Sequence, residues 1–92
     1  MLLLPATVTL AEAGDTLRLL AKAVPGDPGV EVTIDASALV RFDTSLLAVL
    51  LECRRIAQAA NRAFAVRQVP PKLAALAGLY GVDALLFETA LA

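Results

Sequence analysis

Few side chains in this sequence are suited to chemistry, and which ones are missing is informative. There is no histidine and only one cysteine, Cys53. The absence of histidine removes the commonest general base and the commonest transition-metal ligand together. Asp35, Asp43 and Glu52 are the acids that an acid–base reaction would have to use, yet no nucleophile–base pair can be named among them. Neither a GxxxxGK[ST] phosphate loop nor a GxGxxG turn is present. No catalytic residue, metal or cofactor is therefore expected.

What remains is one compact polar group, Arg41-Phe42-Asp43-Thr44-Ser45, directly before the apolar run Leu46–Leu51. An acid and two hydroxyls ahead of a helix are N-cap material: Asp43 or Thr44 can accept one of the backbone N–H groups that the first helical turn leaves unpaired. Cys53 lies on the inner side of the helix that follows and is expected to be an inert buried thiol, since reactive cysteines need an accessible, electropositive setting. Arg41 reads as a solvated loop residue.

The elements around this turn alternate between strand and helix. Leu2–Val8 reads as a strand, with Pro5 demoting its first half. Thr9-Leu10-Ala11-Glu12 has capping-box spacing, and Leu17, Leu20 and Val24 continue as a helical stripe, with Gly14 as a local weakness. Pro25-Gly26-Asp27-Pro28-Gly29 ends that helix. Val30–Ile34 alternates as a strand that Asp35 closes, and 36–41 reads as a connection. The longest helix spans Thr44–Ala60 and is followed by a strand at Arg62–Val69. Pro70-Pro71 starts another helix, with Leu73, Leu76 and Tyr80 as its inner stripe and Gly81 as its C′ residue. Tyr80 is expected in the core with its hydroxyl in water. Asp83–Leu91 is expected to form a short closing helix. This order predicts an α/β fold: one domain over 1–92, with a small mixed sheet of about four strands and about four helices.

Composition sets the remaining bounds. With 92 residues, 59% of them apolar and 4% aromatic, the core must be built from Leu, Val, Ile and Ala. That is more apolar material than a domain of this length needs inside, so either part of it lies on the surface, covering a partner, or the domain is hyperstable; the first is expected. Ile34, Leu50 and Leu76 are the candidate core anchors. The formal charge is −1 and the eight basic residues are dispersed, which argues against a nucleic-acid partner. No apolar run approaches the ~20 residues of a membrane span, and Met1–Pro5 lacks the basic region of a signal peptide. A cytoplasmic location is expected, in keeping with the unpaired cysteine.

The order of strand, loop, Asp43-Thr44-Ser45 turn and apolar helix resembles the STAS family, found in anti-sigma-factor antagonists, transporter tails and lipid-transport subunits. The family pattern is Asp-[Ser/Thr]-[Ser/Thr/Ala]-Gly opening an apolar helix, and Leu46 stands here where the family has Gly. The likeness covers roughly Thr7–Leu86. The helix Leu73–Tyr80, within Pro71-Lys72-Leu73 through Gly81-Val82, resembles the MlaB-type branch, the cytoplasmic STAS subunit of a phospholipid ABC transporter. The resemblance implies a non-catalytic subunit that binds the cytoplasmic ATPase of that transporter through the Asp43–Leu51 surface and meets the membrane only through the complex. The alternative is an antagonist of an anti-sigma factor, with Thr44 phosphorylated by a partner kinase. A phosphate there would meet the helix N-terminus and be opposed by Asp43.

On the long helix, Leu46, Val49, Leu50, Cys53, Ile56, Ala57 and Ala60 share one face, with Glu52, Arg55 and Arg62 roughly opposite. Leu47 and Leu51 stand ~120° and ~160° from the centre of that face. They are expected to form an exposed apolar patch with Arg54 on its rim, unless another helix packs over them. The candidate partner-binding set is thus Asp43, Thr44, Ser45, Leu47, Leu51 and Arg54, with Thr44 also the candidate regulatory site.

Overall fold

Pro5 interrupts the first apolar segment, so the chain uses it twice. In the computed structural model, which describes residues 1–26 and 31–87, strand β1 is Leu2–Leu3 and strand β2 is Thr7–Val8. Helix α1, Leu10–Ala23, follows and closes in a 3-10 turn at Val24–Gly26. Then come β3 Glu31–Asp35, β4 Arg41–Phe42, α2 Ser45–Ala59, β5 Ala63–Arg67, α3 Pro71–Leu79 and α4 Asp83–Leu86. The expected start of β3 at Val30 and the end of the closing helix beyond Phe87 lie outside the described residues.

The strands form two small sheets, one in the order β1-β3-β5 and one pairing β2 with β4. Among the described residues every pairing is parallel, where a mixed sheet was expected. The helical crossovers between β1, β3 and β5 impose this, because successive strands joined through a helix run the same way. Arg41 is correspondingly a strand residue and not part of a connection: it pairs with Thr7, and its N–H and that of Val40 both donate to the Ala6 carbonyl.

The main sheet buries one face. In β3, Val32 and Ile34 are buried while Glu31, Thr33 and Asp35 alternate with them and are half-buried. Leu4, Val32, Ile34, Phe64 and Val66 meet Leu46, Val49, Leu50, Cys53 and Ala57 of α2 in a continuous aliphatic core. Burying one such leucine or isoleucine contributes ~1.5–3 kcal/mol. On the other face Arg67 pairs with Glu31 at 3.2 Å, diagonally across the Thr33–Ala65 pair. Strand β5 is shorter than the sequence suggested because Gln68 turns into the left-handed region, with φ 57°.

Four expectations for α2 and α3 need correction. Ala60 is exposed and Ile56 only half-buried, while Leu47, expected outside, is 5% exposed and belongs to the core. Leu51 is half-buried against that core, so the two leucines form no exposed patch. Besides meeting the sheet, α2 packs against α1 and α4, which widens its buried arc beyond the stripe that faces the strands. Tyr80, expected in the core, is 58% exposed. Only Leu73 and Ala77 of α3 are buried, so the inner stripe of this short helix ends before Tyr80, and Leu76 is half-buried.

Candidate functional site

The β2–β4 pair sets the geometry of the site. Val8 lies beside Phe42, and each strand runs almost directly into a helix, so the N-termini of α1 and α2 come side by side. At the start of α1 the Glu12 carboxylate turns back to accept the Thr9 N–H at 2.8 Å and the Thr9 hydroxyl at 2.6 Å, closing the capping box. The Thr9 hydroxyl and N–H hold the Glu12 carboxyl below its usual range.

At the start of α2 the cap is Asp43. Thr44 already has helical backbone angles, φ −63° and ψ −17°, and makes no capping bond with its side chain. Asp43 Oδ1 accepts the Ser45 N–H at 2.9 Å, and its Oδ2 accepts the Leu10 N–H at 3.1 Å. One carboxylate thus serves two helix N-termini and faces the positive ends of both dipoles. The Ser45 N–H, and then the Leu10 N–H, hold the Asp43 carboxyl below the ordinary aspartate range.

This arrangement leaves the exposed Thr44 hydroxyl uncommitted to the cap, but it also occupies the amides around it. The Leu46 N–H donates to the Asp43 carbonyl at 3.1 Å and the Leu47 N–H to the Thr44 carbonyl at 3.0 Å. The Ser45, Leu46 and Leu47 N–H groups that could receive a phosphate on Thr44 are already paired, and the Asp43 carboxylate is on the adjacent residue.

Helix α3 forms the other side of the site. Pro70 supplies the extended N-cap residue, Pro71 opens the helix, and Gly81, with φ +72°, turns the chain after Tyr80. Between the Phe42-Asp43-Thr44 turn and Lys72, Ala75, Leu76 and Leu79 lies an open groove of about 450 Å³. Its walls are largely apolar, with the Asp43 carboxylate on one side and Lys72 on the other. Leu79 is 79% exposed.

Of the residues singled out in the sequence, Asp43 and Thr44 line this groove and Ser45 adjoins them. Leu47, Leu51 and Arg54 do not line it. Leu47 is inside the core, and Arg54 is half-buried along α2, with Nη1 donating to Gln58 Oε1 at 3.2 Å. The wall provided by Lys72, Ala75, Leu76 and Leu79 was missed. The signal for it was the segment Pro71–Leu79 itself, in which Lys72 is the only charged or polar side chain. A helix apolar all round must find cover on every side, or else expose part of itself to a partner.

The thiol and two of the acids singled out in the sequence are each buried or bound locally. Burial, followed by the charge of Glu52, pushes the Cys53 thiol up to about 11. Asp35 is bound locally, accepting the Ser37 N–H at 2.7 Å, and Glu52 is paired with Arg55. Among the described residues no group of three or more His, Cys, Asp or Glu could hold a metal ion. No described helix is long and apolar enough to cross a membrane.

Parallel strands with helical crossovers, an acid–hydroxyl turn at the head of the central helix and an open apolar groove beside it define a small α/β interaction domain. The chain belongs to the STAS family: residues 2–88 match the family model described as MlaB, STAS domain. No match was found among curated proteins. Membership of this family supports a non-catalytic interaction domain, and it joins the Asp43-Thr44-Ser45 turn and the α3 segment in one domain of MlaB type.

Proposed function

We propose that this domain is a regulatory subunit that docks onto the cytoplasmic ATPase of a lipid-transporting ABC system of the Mla type, through the groove between the Asp43–Thr44 turn and α3. The observation that carries this reading is that the two segments resembling the family, far apart in sequence, line a single apolar groove on a domain of MlaB type. Leu76, Leu79 and Ala75 would supply desolvated contact, Lys72 would meet a carboxylate of the ATPase, and Thr44 would donate or accept a hydrogen bond at the rim. ATP, Mg²⁺ and lipid would be handled by the partner subunits.

The anti-sigma-factor reading requires Thr44 to carry a phosphate. The pairing of the Ser45, Leu46 and Leu47 amides and the adjacent Asp43 carboxylate give that phosphate little to bind. This makes the phosphorylation switch the weaker reading.

Co-expression tests the proposal. Tagged domain is purified together with the ATPase subunit of the ABC system encoded beside it, and separately with any anti-sigma factor encoded nearby. A stoichiometric complex with the ATPase that changes its ATP hydrolysis rate supports the proposal. Capture of the anti-sigma factor alone, released by a kinase that modifies Thr44, overturns it.

A further inference from the structure

The Asp43–Thr44 turn has an exposed leucine on each side. On the α3 side stands Leu79, which lines the groove and is 79% exposed. On the α1 side stands Leu10, which is 78% exposed and does not line the groove. The β2–β4 register accounts for its place. Val8 pairs with Phe42, so the residues two positions further on, Leu10 and Thr44, leave their strands at the same level. The Leu10 N–H donates to Asp43 Oδ2 at 3.1 Å, which ties the first residue of α1 to a residue of the groove wall.

Single exposed leucines are ordinary on protein surfaces. Leu10 differs from Leu19, 71% exposed further along α1, in being bonded to the groove itself. The polar groups between Leu10 and Leu79 are also already served from within the domain. Asp43 accepts from the Ser45 and Leu10 amides, and Glu12 accepts from the Thr9 amide and hydroxyl. A partner lying across the turn strips neither carboxylate of these bonds, which lowers the cost of covering them. Size points the same way. Seven residues line the groove, whereas a standard stable interface takes roughly 20–30 from each side. A partner seated in the groove must therefore contact residues beyond it, and Leu10 is an exposed apolar residue fastened to its rim. The charge order is also defined: Glu12 and Asp43 stand at neighbouring helix N-termini, and Lys72, across the groove, makes no ion pair among the described residues.

We infer that the docking surface extends from the groove across the Asp43–Thr44 turn to Leu10, and that Leu10 is its second apolar anchor, paired with Leu79. This rests on the docking of the transporter ATPase proposed above, and it sets the chemistry of the surface that docks. That surface carries two apolar contacts, one for Leu79 and one for Leu10, with a basic group between them facing Asp43 and Glu12. A carboxylate meets Lys72 on the far wall of the groove.

Calorimetric titration of the purified ATPase with the domain and its variants tests the inference. Leu10→Glu and Leu10→Lys should each weaken binding by about tenfold or more, because a desolvated apolar contact rejects a charge of either sign. Leu19→Glu should bind as the parent does, and thermal melts should show all three variants folded. Parental affinity in both Leu10 variants, alongside loss of binding in Leu79→Glu, overturns this inference and leaves the docking proposal standing. Weakening by Leu10→Glu but not by Leu10→Lys also overturns it, since that marks a rim charge and not an anchor. An equal loss in Leu19→Glu does the same. If the parent domain does not bind the ATPase, or Leu79→Glu binds it unchanged, the docking proposal fails and this inference fails with it.

Discussion

The Asp43 carboxylate accepts the backbone N–H of Leu10, 33 positions earlier in the chain, at 3.1 Å, while its other oxygen caps the helix that begins at Ser45. This contact fixes the start of α1 against the start of α2 and holds the Thr44 turn at the mouth of the groove. The residue that the family pattern marks out is therefore a structural joint as well as part of a surface.

Because of that joint, Asp43→Ala should destabilise the domain more than Asp43→Asn, which keeps a capping side chain but loses the charge. Thermal melts of the two variants at neutral pH check the order. Equal destabilisation would mean that the carboxylate's charge carries the whole of the contribution.

The same contacts give stability a direction with pH. Asp43, Glu12 and Asp35 all have carboxyl groups held below their usual range, through the Ser45 N–H, the Thr9 hydroxyl and Ser37 respectively. A depressed folded-state pKa means that the unfolded chain binds protons more readily. The stabilisation is then fully present above ~4, the ordinary carboxylate value, and is lost as pH falls through the lower folded values. The melting temperature should be flat from near neutral down to that point and fall steadily below it, with Asp43→Asn showing a shallower fall.

Core and groove should separate cleanly in stability. Leu50→Ala, Ile34→Ala and Leu47→Ala should each cost ~2–5 kcal/mol, as truncation of buried aliphatics does. Leu76→Ala should cost less, because Leu76 is only half-buried, and Leu79→Ala should stay within ~0.5 kcal/mol. Denaturant titration gives all five values. A Leu47→Ala variant as stable as the parent would contradict its place in the core.

Cys53 tests the same core from its chemistry. Cys53 is fully buried and burial pushes its thiol up to about 11, so a disulfide reagent should not react with it at mildly alkaline pH unless the domain unfolds. Labelling should accelerate in step with the unfolding transition in denaturant. The sign of the linkage also follows: protection is complete below the unfolded thiol value of ~8.5 and declines as pH rises towards the folded one.

Two glycines should respond in opposite directions. Gly81 has φ +72°, where a side chain is strained, and Gly81→Ala should destabilise by ~1 kcal/mol. Gly14 sits in the exposed middle of α1 with only the Arg18 guanidinium near its missing Cβ, and Gly14→Ala should stabilise by ~0.5–1 kcal/mol. Paired melts reveal the sign of each.

Much of this architecture was legible because local signals and packing agree. Thr9 and Glu12 cap α1, Pro70-Pro71 opens α3 and Gly81 ends it, each through chemistry that a few neighbouring residues decide. What depended on distant partners was not legible. Strand β4 exists because β2 lies beside it, a pairing that Arg41-Phe42 alone does not announce. Leu47 is buried because α2 has helices beside it as well as a sheet beneath, whereas the angular reading of one helix considers only the sheet. The turn of the site could be read, since Asp43-Thr44-Ser45 is contiguous. Its second wall could not, because Leu76 and Leu79 face Thr44 only once β5 and the Gln68 turn have carried α3 across the domain.

Docking of the transporter ATPase at the Thr44–α3 groove is tested by measuring the affinity of the purified ATPase for Leu79→Glu by calorimetry, with a thermal melt of the same sample. Leu79 is exposed and outside the core, so the melt should match the parent. Placing an unpaired charge in a desolvated apolar contact should weaken binding by about thirtyfold or more, the loss typical of a dominant interface residue. Parental affinity in a folded Leu79→Glu domain would contradict the account.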